Sequence, residues 1–343
     1  MNPLEQAIRE NNVNQLRLLM DLGYDVNQKA DFDRSLLSIA IENNCNLFII
    51  KMLLENGADV NAQSKFDGTP LHEAVRENAK EVAELLIANG ADVNALDYYG
   101  YRPLHQARGE DIDVAELLVA NGAEINARDE RGKTALHEAA WRNYKEVAEL
   151  LVASGAEVNA RDERGKTPLH FAASPDNNNQ LAELLIASGA DVNAEDKYGN
   201  TPLHSTASNN AYEVAELLIA SGAEINAQNQ NGDTPLHKAD ARGVAIVLIA
   251  NGADVNALDK KGKTPLHAAT SKDSKQFPEL LIAHGAEVNA RDNRGETPLH
   301  KAAYRNSKQL AELFIANGAE VNVRDKLGNT PIDKFSYINY ISL

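Results

Sequence analysis

Asp162-Glu163-Arg164-Gly165-Lys166-Thr167-Pro168-Leu169-His170 decides the fold, because its parts return along the whole chain. Thr-Pro-Leu-His occurs unaltered six times, beginning at Thr69, Thr167, Thr201, Thr234, Thr264 and Thr297. Near copies begin at Arg102 and Thr134, and the variant Thr330-Pro331-Ile332-Asp333 closes the series. A second phrase, Gly-Ala-Asp/Glu-Val/Ile-Asn, starts nine times between Gly57 and Gly318. Both recur at or near a 33-residue period. A unit of that size holds no core alone, so neighbouring units must stack.

Each phrase has a mechanical reading. Thr-Pro sets a hydroxyl cap and a rigid first residue at the start of a helix. Leu-His-x-Ala-Ala continues that helix, its alanines small enough for the next unit to approach closely. After a short turn a second helix reads Glu-Val-Ala-Glu-Leu-Leu-Ile-Ala, and it stops at a glycine suited to the left-handed cap. Asp-x-x-Gly in the loop that follows is a tight-turn signal.

On these residues the chain resembles the ankyrin-repeat family, over essentially its whole length. The resemblance implies an all-α solenoid of helix-turn-helix units with β-turn fingers, about ten repeats plus a partial C-terminal cap. One ankyrin-repeat domain is expected over 1–343, with a divergent capping repeat at 1–33 and a degenerate repeat at 34–68. Regular repeats then run over 69–329, and 330–343 forms the partial cap. In the degenerate repeat, Gly68 falls one place late after Ser64-Lys65-Phe66-Asp67, so that turn should differ in shape.

Three units have irregular lengths. The unit opening at Arg102 lacks a residue near Arg108-Gly109-Glu110, and the unit opening at Thr167 gains one within 174–179. The unit opening at Thr234 is three residues short, compressed around 238–243, which predicts a shortened helix near 238–246. In the last segment Phe335, Tyr337, Ile338, Tyr340 and Ile341 are expected to cover the terminal apolar face.

The formal charge of −16 disfavours generic binding to nucleic acid or an anionic membrane. Cys45 is the only cysteine, so no internal disulfide forms and a reducing compartment is expected. No basic-then-apolar leader and no apolar run of ~18 residues is present. The sequence therefore reads as a cytoplasmic protein without membrane insertion, with signal-free delivery into a host cell left open.

Eight of the nine histidines share one repeat position: His72, His105, His137, His170, His204, His237, His267 and His300. Stacked units place equivalent residues ~8–10 Å apart, too far for two to share one ion at ~2.0 Å. A structural role is expected instead, each imidazole linking loop backbone groups and bonding the preceding threonine hydroxyl. Asparagines such as Asn94, Asn159 and Asn289 should likewise satisfy loop backbone groups. No nucleophile–base pair, phosphate loop or paired-cysteine motif stands apart from the repeat, so no active site, metal or cofactor is expected.

The units differ from one another at their turn tips and on the exposed face of the first helix. In the family that the chain resembles, partners usually meet those positions. Five such positions in the eight units from Thr69 to Thr297 hold fifteen basic and six acidic residues, a net of +9 that leaves −25 elsewhere. Seven of the eighteen aromatic residues gather there too. Trp, Tyr and Arg dominate interface energies. The candidate partner-binding residues are therefore Phe66, Arg76, Tyr98, Tyr99, Tyr101, Arg131, Trp141, Arg142, Arg164, Tyr198, Tyr304 and Arg305.

The expected function is a non-catalytic protein-binding scaffold, monomeric by itself, whose partner carries acidic groups at the contact. Near-identical copies at 127–134 and 160–167, with the resemblance, point to a host-directed effector or inhibitor. The alternative is a regulatory or targeting subunit of an enzyme, or the repeat region of a longer multidomain protein.

Overall fold

Thr69 shows how each repeat begins. Its backbone is extended (φ −94°, ψ 168°), and the helix Pro70–Arg76 starts directly after it. The Thr69 N–H donates to His72 Nδ1 at 3.1 Å, and the hydroxyl meets the same nitrogen at 3.0 Å. One otherwise orphaned helix-start donor is thereby satisfied by a buried side chain. The arrangement returns at Thr134, Thr167, Thr201, Thr234, Thr264 and Thr297.

The computed structural model describes residues 3–109, 112–173, 179–239, 241–271 and 274–335, and the described residues form helices and turns without a strand. By internal contacts the chain divides into two compact units, Met1–Glu163 and Arg164–Leu343. In the first, helix pairs run from Pro3–Arg9 with Val13–Asp21 to Ala135–Arg142 with Lys145–Ala153. In the second they run from Pro168–Ala172 with Gln180–Ala187 to Pro298–Tyr304 with Lys308–Ala316. Each pair packs on itself and on the next pair within its unit. The core is the recurring leucine, such as Leu71, Leu136, Leu203 and Leu299, against Leu86, Leu118, Leu151 and Leu218 of the second helices. Truncating one of these to alanine costs about 2–5 kcal/mol, since a stack of thin layers has little room to collapse.

Among the described residues the first helices are either full, at seven or eight residues, or short, at four or five. Full ones end at an asparagine in the left-handed conformation, as at Asn78 (φ 50°), Asn143 (φ 58°), Asn210 (φ 56°) and Asn306 (φ 57°). Asn tolerates that geometry and closes the helix without glycine. The first helix after Arg102 is a single 3-10 turn, Pro103–Gln106, and the one after Thr234 is only Pro235–Lys238. The shortening expected near 238–246 thus falls entirely on the first helix, while Arg242–Ala250 keeps nine residues. The second helix buries Val244, Ala245, Val247 and Leu248 and cannot lose a turn without exposing them. The extra residue within 174–179 and the capping side chains of Tyr337, Ile338, Tyr340 and Ile341 fall in 174–178 and 336–343, outside the described residues. Phe335 is exposed.

Three columns of hydrogen bonds fasten one repeat to the next within each unit. Nε2 of His72 meets the Tyr101 carbonyl at 3.0 Å, and Nε2 of His204 meets the Asp233 carbonyl at 2.9 Å. The histidines therefore reach the following repeat's loop, one step beyond the local bond expected. Asn61 donates to the Gly90 carbonyl at 3.0 Å and accepts the Asp92 N–H at 2.8 Å; Asn256 does the same with Gly285 and Glu287. At the turn tips Glu130 N–H donates to the Tyr99 carbonyl, and Lys197 N–H to the Arg164 carbonyl. Gly100 makes the Glu130–Tyr99 contact possible. It sits at φ 75°, and a Cβ there would lie 2.9 Å from the Glu130 nitrogen.

Two turns depart from this form. In Ser64–Gly68 the Ser64 hydroxyl accepts the Asp67 N–H at 2.7 Å and only Gly68 is left-handed, which is the altered shape that its late glycine predicts. In the preceding repeat Phe32 (φ 61°) and Asp33 (φ 58°) are both left-handed. A bulky side chain held there costs of order 1–3 kcal/mol.

Candidate functional site

Within the first unit the turn tips carry rings. Phe66 and Tyr98, on successive repeats, meet edge to face with centroids 5.7 Å apart. Tyr98 and Tyr99 meet at 5.1 Å and 89°. Phe32 extends the row on the other side, 6.3 Å from Phe66. Edge-to-face pairs favour the row by about 0.5–1.5 kcal/mol each. The rings nevertheless keep much of their surface in water: Phe32 is 64% exposed, Tyr98 62% and Tyr99 50%.

Phe32 precedes the degenerate repeat, which lacks the Thr-Pro-Leu-His anchor that marks the other ring positions in the sequence. Its signal was positional. Phe32 precedes Ser35 by three places, as Phe66 precedes Thr69 and Tyr99 precedes Arg102.

Tyr101 behaves differently from its neighbours. Its ring is half-buried edge-on against His105 at 5.7 Å, and its hydroxyl donates to Glu138 Oε1 at 3.5 Å. Burial, reinforced by the Glu138 carboxylate, pushes the phenol up to about 12. The tyrosine cluster expected at 98, 99 and 101 is therefore two exposed rings and one internal strut.

Glu138 is the hub that links the turn to the helix end. It is buried, lies 2.9 Å from Lys133 Nζ, and stands 3.6 Å from Arg142 Nε. Trp141 closes the helix Ala135–Arg142 with 55% of its surface exposed. Lys133 Nζ lies 5.6 Å from its ring centroid and the Arg142 guanidinium 5.2 Å. Cations at such distances favour the indole face by about 0.5–1 kcal/mol when exposed. Repeat position alone did not reveal Glu138, because its role depends on which side chains the next layer brings to it.

This pairing also alters the charge of the face. Arg76 pairs with Glu73 and donates to the Asp67 carbonyl at 3.3 Å, so it braces its own turn. Lys133 and Arg142 share Glu138. Glu73 and Glu138 lie outside the five variable repeat positions, so the +9 of those positions overstates the local positive charge. Arg131 remains exposed at its tip, where its carbonyl accepts the Glu163 N–H at 2.9 Å.

In the second unit Arg164 is exposed at a turn tip and its carbonyl accepts from Lys197 N–H. Tyr198 is 51% exposed with Lys197 Nζ 5.3 Å from its ring. Tyr304 ends the helix Pro298–Tyr304 at 70% exposure, with Arg305 exposed beside it. These residues do not form a ring row like that of the first unit.

Among the described residues, His72, His284 and Cys45 are engaged within the fold. The shared histidines whose Nε2 bonds are described above use both ring nitrogens, and burial pushes His72 down to about 4. His284, outside the repeat position, caps its own helix through Nδ1 and the Leu280 carbonyl at 2.9 Å. Cys45 is buried with its Sγ 3.2 Å from the Ile8 carbonyl, and burial pushes its thiol up, away from a reactive thiolate. Among the described residues no helix is long and apolar enough to cross a membrane.

A family model described as ankyrin repeats (3 copies) matches the chain at residues 37–129, 97–162, 136–229, 169–258 and 236–325. A search of curated proteins found no match.

Proposed function

Because the chain belongs to the ankyrin-repeat family, whose repeats are generally protein–protein interaction modules, we propose that it is a non-catalytic scaffold that binds a partner protein. The ten repeats act in this reading as one domain, and the contact centres on Trp141, Arg142, Arg131 and the ring row. The single observation that carries it is Trp141: an indole more than half exposed, with the Lys133 ammonium 5.6 Å and the Arg142 guanidinium 5.2 Å from its ring centroid. A monomer gains nothing from holding its one tryptophan in water, whereas a partner that covers it gains both area and orientation. Burying the exposed half of such a ring is worth roughly 2–3 kcal/mol, which is the energy of an interface hot spot.

Charge sets the partner's chemistry at this end. Arg142 is exposed beside the indole and Arg131 is exposed at the turn tip of the same repeat, so acidic groups on the partner would meet them. Such rim charges steer encounter and select among partners more than they add affinity.

The test is Trp141→Ala, with circular dichroism as the folding control. A partner recovered by cross-linking mass spectrometry from the native cell, then purified, should bind the variant roughly 30-fold or more weakly. Equal affinity for wild type and variant removes the site.

A further inference from the structure

The ring row on the first unit carries a different charge from the tryptophan end. Asp31 and Asp33 flank Phe32 and are exposed, and Asp67 follows Phe66. Among the described residues none of these three carboxylates forms an ion pair. Of the nearby cations, Arg34 is held by Glu42 at 2.6 Å, Lys29 donates to the Gln63 carbonyl at 3.1 Å, and Arg76 pairs with Glu73 while donating to the Asp67 carbonyl at 3.3 Å. Lys65 is left, and its ammonium sits 5.3 Å from the Phe66 centroid. The Phe32–Phe66 end of the row is thus an apolar strip with a carboxylate fringe, and Lys65 already lies against a ring there.

Phe32 supplies a second, independent observation. It holds a left-handed backbone that bulky residues avoid, and it does so with its side chain mostly in water. Core packing does not explain that geometry. An ordinary turn residue such as Asn would meet the same φ with less strain. Strain kept at an exposed ring marks a place where the ring's position serves something outside the fold.

We propose that Phe32, Phe66, Tyr98 and Tyr99 form a recognition strip for a protein segment that alternates apolar side chains with arginine or lysine. The apolar groups of that segment cover the rings. Its cations lie over ring faces as Lys65 does over Phe66, and Asp31, Asp33 and Asp67 provide the counter-charge. The inference rests on the protein-binding reading and adds a segment of opposite charge to the acidic groups placed at Trp141. The partner's contact surface is therefore mixed in sign, which fixes the direction in which it can lie.

The experiment pans a phage library of short random peptides against the full chain and measures enriched peptides by fluorescence anisotropy. Enriched sequences should combine apolar residues with an excess of Arg or Lys. Their affinity should fall roughly tenfold or more in the Phe66→Ala, Tyr98→Ala double variant and in Phe32→Asn. Phe32→Asn separates a binding role from a structural one, since its thermal midpoint should equal or exceed that of wild type while binding falls. Enriched peptides without the basic excess, or with affinity undiminished by the ring variants, overturn the proposal. Peptides lost only in Trp141→Ala overturn it while leaving the scaffold reading in place, and a wild-type chain that enriches nothing overturns the strip, the scaffold reading then standing or falling on the Trp141 test.

Discussion

Lowering the pH from about 7.5 to about 5 should weaken the fold through its histidines, and His72 sets the scale. Its Nδ1 accepts the Thr69 N–H at 3.1 Å, so the proton of the neutral ring resides on Nε2, which points at the Tyr101 carbonyl. A second proton would have to enter between Nδ1 and a backbone donor, in a buried site. Burial is the leading cause that pushes His72 from 6.5 down to about 4. A base with a depressed pKa binds fewer protons folded than unfolded, so stability is complete above about 6.5 and is lost as the pH falls towards about 4. Integrating between those limits gives a loss of about 2 kcal/mol at pH 5 from His72 alone. Burial lowers His105, His204, His267 and His300 in the same sense, so the whole chain should lose more. Glu73 and Asp97, whose carboxyls burial pushes up, act in the opposite direction, which makes a single-site comparison necessary. Urea unfolding followed by circular dichroism supplies it, on wild type and His72→Gln at both pH values. The variant should be weaker throughout yet lose about 2 kcal/mol less on acidification. An identical loss in the two proteins, or an imidazole proton signal titrating near the ordinary histidine value, would refute the reasoning.

Two further substitutions probe the columns between repeats. Gly100→Ala places a Cβ 2.9 Å from the Glu130 nitrogen at φ 75°, and should destabilise the first unit by roughly 2–3 kcal/mol in urea unfolding. A midpoint equal to wild type would show that the tips need not touch. Asn94→Ala removes the bonds to the Gly122 carbonyl at 3.0 Å and from the Glu124 N–H at 2.8 Å. It should cost about 1–2 kcal/mol and accelerate hydrogen exchange at the Glu124 amide, an effect absent if water replaces the side chain without loss.

Much of the architecture was legible because the repeat states each local rule many times over. Thr-Pro marks helix starts, and the leucine and alanine pattern marks the buried face. The turn glycine was visible as a signal, although its second reason was not: Gly100 is needed both for its φ and because Glu130 approaches from the next layer. Helix length was also written in the sequence, nine residues after the capping position. Asn78, Asn143, Asn210 and Asn306 stand there after full first helices, while Gly243 stands there in the unit whose first helix shrinks to Pro235–Lys238. That signal is faint, since one asparagine among many in a loop looks like any other until its left-handed backbone is seen.

Residue identities by themselves determined the period, the helix pairs, the identity of the core and the structural duty of the shared histidines. All of these are contacts within a repeat or copied at every step, so one sequence phrase specifies them. Only tertiary structure separated Tyr101, turned inward onto Glu138, from Tyr98 and Tyr99 in water; joined Lys133, Trp141 and Arg142 around one buried carboxylate; and brought Phe32 into line with Phe66. Those arrangements depend on what the neighbouring layer offers to a side chain, and a neighbour some 33 residues away is adjacent in space without being adjacent in sequence.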